Sequence, residues 1–334
     1  MPGSLTSVFG EPDDFQAALK GDGVSGLLIT GDGEFRARLT RIVLDRLTLT
    51  AAEEEAPRIA FITVPADTVL VTLPVGGRPF PVWGGIEMQA GELVTLGPGE
   101  RFHARSDGPC AWDAIYAPAK DLVEYGRALI GDEFTLPPAA RWRPRSAAMR
   151  DLRHFLHAAI RMAETRSGAP TSIRAAHGLE QQLLDALLEC VSAGPAGEET
   201  PGARRHRGIS ARFEDLLQAE PFPQMTEICA ALGVSQRTLR ECAKKHLGMG
   251  PSRYRRVRGI QQAQRVLRRG TPDTLSVSEV AKRYGFCDLG RFKTAYRAFC
   301  GELPSVTLRR DALRAMPELA LGRPRAKVPK SRLT

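Results

Sequence analysis

The sequence predicts a multidomain protein: an N-terminal all-β jelly roll or barrel, a pair of helices, and a C-terminal all-α domain with two helix-turn-helix motifs. Three observations carry that expectation. Short β-rich segments punctuated by Gly and Pro fill residues 27–117. Two amphipathic segments follow, and between Met225 and Ser305 one pattern is written twice. With 334 residues, 43% hydrophobic and 25% charged, the chain is long enough for two cored domains, and nothing in it points to a fibre or a membrane span.

In chain order, residues up to about Lys20 read as a loose arm. Strand-like runs follow at 27–30, 35–40, 42–50, 58–64, 68–73, 80–83, 92–96 and 111–116, rich in β-branched and aromatic residues. Gly76-Gly77, Gly84-Gly85, Gly97-Pro98-Gly99 and Asp107-Gly108-Pro109 stand between them as turns. Many short strands spaced this way predict a jelly roll or barrel over residues 1–145. Trp83, His103 and Trp112 are candidates to line a ligand pocket in it, with packing in the core as the alternative for either tryptophan.

Residues 146–193 then predict two helices. Met149, Leu152, Phe155, Leu156, Ala159, Ile160 and Ala163 form the stripe of the first; Ala176, Leu183, Leu184, Leu187, Leu188 and Val191 form that of the second. Ser167-Gly168-Ala169-Pro170 between them is short enough for an antiparallel pair, which either covers the β domain or supplies a dimer surface. Residues 194–208 have almost nothing to bury and read as a linker, with Arg204, Arg205 and Arg207 free to meet phosphates.

The repeat occupies the next domain, residues 209–312. Its first copy runs Glu227, Ile228, Cys229, Leu232, Gly233, Val234, Ser235, Leu239, Ala243, Gly248, Pro251. The second runs Glu279, Val280, Ala281, Tyr284, Gly285, Phe286, Asp288, Phe292, Tyr296, Gly301, Pro304. The offset is 52 residues before the turn and 53 after it, so the second turn holds one extra residue. A glycine just past a short helix can take the left-handed conformation that ends it, and Ser235 or Asp288 can cap the helix that follows. A helix, a tight turn and a second capped helix make the geometry that places the second helix in a DNA major groove.

The outward residues of the second helices are Gln236, Arg237, Arg240, Lys244 and Lys245 in the first copy, and Gly290, Arg291, Lys293, Thr294 and Arg297 in the second. Exposed Lys and Arg are the default on any helix. Here they sit on two capped helices of a repeated motif, which favours DNA contact. Residues 209–310 resemble the DNA-binding domain of the AraC/XylS family of bacterial transcription regulators. The resemblance rests on Val280-Ala281 through Tyr284-Gly285-Phe286, then Phe292, Tyr296, Phe299, Gly301, Pro304-Ser305 and Leu308-Arg309. In the first copy it rests on Leu232 to Ser235, Arg237 to Leu239, Gly248 and Pro251 to Tyr254. Gly259 departs from the family pattern, and a mid-helix glycine costs about 1 kcal/mol against alanine, loosening the joint between copies. More weakly, Gly91-Glu92-Leu93, Pro98-Gly99 and Phe102-His103 resemble a cupin-like sensory domain.

Charge divides the chain in the same place. Residues 203–334 hold 28 Lys and Arg against 11 Asp and Glu, a net of +17, while residues 1–202 hold 19 against 27, a net of −8. That split is expected when only one half meets a polyanion. The tail, 313–334, is basic and contains prolines, and is expected to be disordered. Six cysteines show no paired metal-ligand spacing; Cys229, Cys242 and Cys300 are expected to face inward, and Cys287 is the one expected near the surface. His103 is the single histidine of the β region, whereas a catalytic metal needs a cluster, so no metal and no cofactor are expected.

The resulting expectation is a regulator, not an enzyme, whose partner is double-stranded promoter DNA. The resemblance adds RNA polymerase, a small organic effector and a homodimer. The alternative is a DNA-associated protein whose β domain is an enzyme or a ligand-free oligomerisation module. Met1 to Asp14 carry no basic segment followed by an apolar run, so a cytoplasmic protein is expected.

Overall fold

The computed structural model describes residues 3–31, 34–76, 79–165, 173–192 and 194–315, side chains at 173, 198 and 310–315 excepted. The chain divides into two compact units: residues 1–218 with 224–255, and residues 219–223 with 256–334. The division falls inside the expected DNA-binding domain, in the helix that joins the two motif copies.

The first unit begins with β1 (Gly3–Phe9), α1 (Pro12–Ala18), β2 (Val24–Ile29), β3 (Ala37–Val43), β4 (Thr48–Glu54), β5 (Arg58–Thr63) and β6 (Thr68–Val75). It continues with β7 (Val82–Trp83), β8 (Ile86–Glu87), β9 (Leu93–Leu96), β10 (Arg101–Ser106) and β11 (Cys110–Pro118). Then come α2 (Ala119–Ile130), β12 (Ala139–Trp142), α3 (Ser146–Thr165), α4 (Ile173–Ser192), β13 (Gly197–Glu198) and α5 (Pro201–Leu216). The strands form two antiparallel sheets, ordered β1-β3-β4-β11-β6-β9-β12-β13 and β2-β5-β10-β7-β8. They face each other as a sandwich and do not close into a barrel.

Between the sheets lies a core containing Phe15, Leu27, Trp83, Phe102 and Trp112. The larger sheet is buried on its other face too, where Val69, Val71, Leu73 and Ile115 meet Leu152 and Leu156 of α3 and Leu183, Leu184 and Leu187 of α4. Burial on both faces explains why β6 reads as a nearly continuous apolar run instead of an alternating one. Both helices lie where periodicity predicts them; the Ser167–Pro170 connection is outside the described residues.

Four sequence expectations change. The loose N-terminal arm is β1, paired along its length with β3, followed by α1, because Phe15 and Leu19 are needed to close one end of the core. The 42–50 run is not one strand: it turns at Leu44, whose N–H donates to Leu47 O, so β3 and β4 form a hairpin. Arg101–Ser106 is a strand despite its charges, since alternation puts Phe102 and Ala104 inward. The linker is in good part helix: Thr200 caps α5 by accepting from the Ala203 N–H, and Arg207 is buried between Glu199 and Glu100. Arg207 Nε donates to Glu199 Oε1 at 2.9 Å, so a residue expected to meet phosphate is held inside the protein. A paired cation can be buried where an isolated one cannot, and composition alone does not reveal the pairing.

The first unit ends with α6 (Met225–Leu232), α7 (Gln236–Leu247) and the start of α8 (Pro251–Arg269). The second contains the rest of α8, then α9 (Val277–Arg283), α10 (Leu289–Cys300) and α11 (Pro304–Ala315). Its core is aromatic: Phe222 meets Tyr284 edge-on at 6.0 Å, and Phe286, Phe292 and Tyr296 pack in series as tilted rings at 4.9 and 5.5 Å. Gly259 serves this core and does not loosen it. A Cβ there would lie 3.1 Å from Tyr284 O, 3.3 Å from Phe286 and 3.4 Å from Phe222, so close helix contact takes the place of a side chain. Most of the basic tail, from 316 on, lies outside the described residues.

Candidate nucleic-acid interface

Both motif copies are fixed by local chemistry before any long-range contact. In the first, Gln224 and Glu227 cap α6 reciprocally, the Gln224 N–H donating to Glu227 Oε2 at 2.7 Å. Gly233, at φ 64°, ends that helix, and the Val234 N–H donates to Cys229 O. Ser235 then caps α7 by accepting from the Thr238 N–H at 3.1 Å. In the second, Ser276 and Glu279 form the capping box, Gly285 is at φ 80°, and the Phe286 N–H donates to Ala281 O. Asp288 caps α10 by accepting from the Arg291 N–H at 3.0 Å. That hydrogen bond holds the Asp288 carboxyl below its ordinary range, as the Ser276 contact does for Glu279.

Each second helix presents two faces. The inward face of α7 is Leu239, Cys242, Ala243, His246 and Leu247, all buried. That of α10 is Phe292 and Tyr296, with the Tyr296 hydroxyl donating to Thr307 Oγ1 at 2.8 Å. Opposite them, Gln236, Arg237, Arg240, Lys244 and Lys245 are exposed, as are Gly290, Arg291, Lys293, Thr294 and Arg297. Arg237 and Arg291 are 89% and 90% exposed, and among the described residues their ion pairs are with Glu241 at 3.2 Å and Asp288 at 3.6 Å. Such surface pairs are weak, being screened by solvent, and would exchange readily for phosphate or base contacts. Of the cysteines, Cys242 is buried, Cys229 and Cys300 are half-buried, and Cys287 is exposed.

The first copy is also joined to the β sandwich. Arg101 on β10 pairs with Asp215 on α5. His103 is 1% exposed, with Nε2 3.7 Å from Glu214 Oε2 on α5 and its ring edge-on to Tyr254 at 6.3 Å. Glu214 in turn accepts from the Tyr254 hydroxyl at 2.6 Å. His246 of α7 lies in the same place: burial first, then the neighbouring His103, lowers its pKa to about 3. His103 therefore does not line the cavity between the sheets. It lies on the face of β10 opposite Phe102 and Ala104, so strand alternation turns it toward the helices.

Trp83 and Trp112 do line a narrow, mostly apolar cavity between the sheets, with Phe15, Leu70 and Phe102. One end is polar: the Trp112 indole N–H donates to Glu54 Oε1 at 2.7 Å, and Arg58 donates to both oxygens of Glu54. Burial disfavours the Arg58 charge, and Glu54 more than offsets this, raising its pKa. Glu54 and Arg58 escape a sequence search because each reads as an ordinary surface charge. A cleft adjoins the cavity, sharing Trp83 and Phe102 and reaching Arg207 of α5.

A family model described as a helix-turn-helix domain matches residues 228–310. The XylDLEGF operon transcriptional activator 2 of Pseudomonas putida is 37% identical over 127 residues, 38% of this chain and 78% of that protein. The chain belongs to the AraC/XylS family of transcription regulators. The transcriptional activator RhaS of Klebsiella pneumoniae (strain 342) is 28% identical over 64% of this chain and 77% of its own. Two further operon regulators match over only about two fifths of their length. Among solved structures, the AraC-like transcriptional activator CuxR aligns at 15% identity and a TM-score of 0.42, over 72% of this chain and 88% of that one. No described helix is long and apolar enough to cross a membrane.

Proposed function

We propose that this family member is a sequence-specific, effector-responsive regulator whose α7 and α10 read adjacent major-groove segments of promoter DNA. The observation that supports this best is the pair of capped helices, each with its inward face sealed by apolar side chains and its cationic face exposed. Arg237, Arg240 and Arg291, early in their helices, read base edges. Lys244, Lys245 and Arg297, later, hold phosphates. A small organic effector occupies the Trp83–Trp112 cavity and its adjoining cleft. Homodimerisation through α3 and α4 and contact with RNA polymerase complete the reading, and the matched transcriptional activators favour activation over repression.

The test is a footprint of the full chain on its promoter. Two protected segments about 10 base pairs apart on one face are expected. With Arg291→Ala the segment read by α10 should lose protection while that read by α7 keeps it. One short protected segment, or simultaneous loss of both, would refute the two-headed reading.

A further inference from the structure

The first unit carries a basic groove that the DNA-reading surface does not use. It lies along α3, walled by Ala90-Gly91 before β9 and Arg143-Pro144 after β12, and is open to solvent. Arg150, His154, His157 and Arg161 follow each other at four, three and four residues, so they share one face of α3 over about 16 Å. Arg153 stands beside them.

Exposed arginine on a helix is ordinarily a solvated charge, but three features set this stripe apart. First, its spacing places like with like: Arg150 faces Arg153 and His154, and His157 faces Arg153 and Arg161, at the separations where an acidic partner would stabilise the helix. Among the described residues, Arg150, Arg153 and Arg161 have no carboxylate partner. Second, residues 1–202 have a net charge of −8, so these cations are concentrated against the charge of their own domain. Third, the acidic groups at the groove are beneath it. Glu92, 1% exposed, is engaged by Arg143 at 2.6 Å and Arg141 at 3.8 Å. Asp113, at the base of α3, has Oδ2 3.5 Å from His157 Nε2, and neither atom has a hydrogen-bond partner. The buried Glu92 thus holds Arg143 at the groove, while among the described residues Arg150, Arg153 and Arg161 have no carboxylate to compensate them.

We propose that this groove binds a small molecule bearing two or more anionic groups, phosphate or carboxylate, through Arg143, Arg150, Arg153 and Arg161. Guanidinium forks take either group in bidentate fashion. The concave walls and the acidic surroundings favour a small polyanion over a DNA duplex. The site is separate from the interior cavity, so the ligand is a second input, independent of the proposed effector.

The test is calorimetric titration of the full chain with inorganic pyrophosphate and, separately, with citrate, at matched ionic strength. Saturable binding of one of them is expected, and which one binds identifies the anionic group. The double variant Arg150→Gln, Arg153→Gln should weaken that binding at least about tenfold. Arg127→Gln, on the exposed surface of α2 outside the groove, should not change it. Circular dichroism verifies that the double variant is folded. The proposal is overturned if neither anion binds saturably, or if binding survives in the double variant. It is equally overturned if binding disappears with Arg237→Gln and Arg291→Gln, which would place the anion on the DNA-reading helices. Loss of affinity of the double variant for non-specific duplex DNA would make the groove a DNA surface and overturn it as well.

Discussion

The two helix-turn-helix copies share caps, turns and exposed cations, and differ in what seals the inward face of the second helix. In the first copy that face is small and partly polar: Leu239, Cys242, Ala243 and His246, the last lying beside His103 of β10, which itself faces Glu214 of α5. In the second, the equivalent positions of Leu239, Ala243 and His246 are Phe292, Tyr296 and Phe299, and a series of tilted aromatic rings closes the core from within. A motif with a large aromatic core is self-sufficient. One with a small core completes itself against neighbouring structure, and here the neighbour is the domain proposed to sense a ligand. Any signal reaching DNA through the first copy therefore has a physical path through α5 and β10.

Core truncation should break this comparison most strongly. Leu239→Ala and Phe292→Ala should cost about 2–5 and 3–5 kcal/mol respectively. Hydrogen exchange should show the first loosening α5 and β10 together with α7, and the second loosening only residues 219–223 and 256–315. Equal loss of protection in β10 for both variants would mean that the copies are not differently anchored.

Next in size is the polar joint between β10 and the helices. Arg207→Ala leaves Glu199 and Glu100 without their guanidinium and should cost about 3 kcal/mol, seen in chemical denaturation of the first unit. Tyr254→Phe leaves Glu214 short of a donor and should cost about 1–3 kcal/mol. If both lie within 0.5 kcal/mol of wild type, a margin of about that size being typical of surface substitutions, α5 is not a structural joint.

The buried His246 predicts a difference in pH response. Its folded pKa, about 3, lies below the ordinary value of 6.5, so the unfolded chain binds the extra proton between those values. Stability from this group is complete above about 6.5 and is lost as pH falls toward 3, by at most about 1.4 kcal/mol per pH unit. The second copy has Phe299 at this position, and its lowered Asp288 and Glu279 act only near and below the ordinary carboxylate range. Between pH 6.5 and 5 the first unit should therefore lose stability while the second does not. His246→Leu should flatten the first profile; an unchanged profile would remove His246 as the cause.

On the proposed DNA-reading face, Arg237→Ala should cost about 1–3 kcal/mol at one base position, and Lys244→Ala should weaken all sequences and reduce the salt slope by about one. A uniform loss for Arg237→Ala across operator variants would reassign it to phosphate. The smallest effect concerns Gly259→Ala, which should fail to gain the roughly 1 kcal/mol that helix propensity offers. The new methyl would meet Tyr284 O and Phe286, and a full gain in thermal stability would show that this contact is soft.

The repeat, the caps and the outward cations of α7 and α10 were legible in the sequence because they are local: a glycine, a cap and a three-and-four spacing act within a dozen residues. The helical pair was legible for the same reason. What the sequence did not disclose depends on distant partners. Arg207 reads as a free cation until Glu100, more than a hundred positions earlier, is folded beside it. Glu54 and Arg58 read as surface charges until Trp112 closes over them. His103 was expected in the pocket because a strand has two faces, and residue type does not say which one is turned to the cavity. Local hydrogen bonding and periodicity thus determined the DNA-reading apparatus. Only the tertiary structure decided that its first copy would be completed by the β domain, because burial of a charged or small-cored surface depends on which distant residue compensates it.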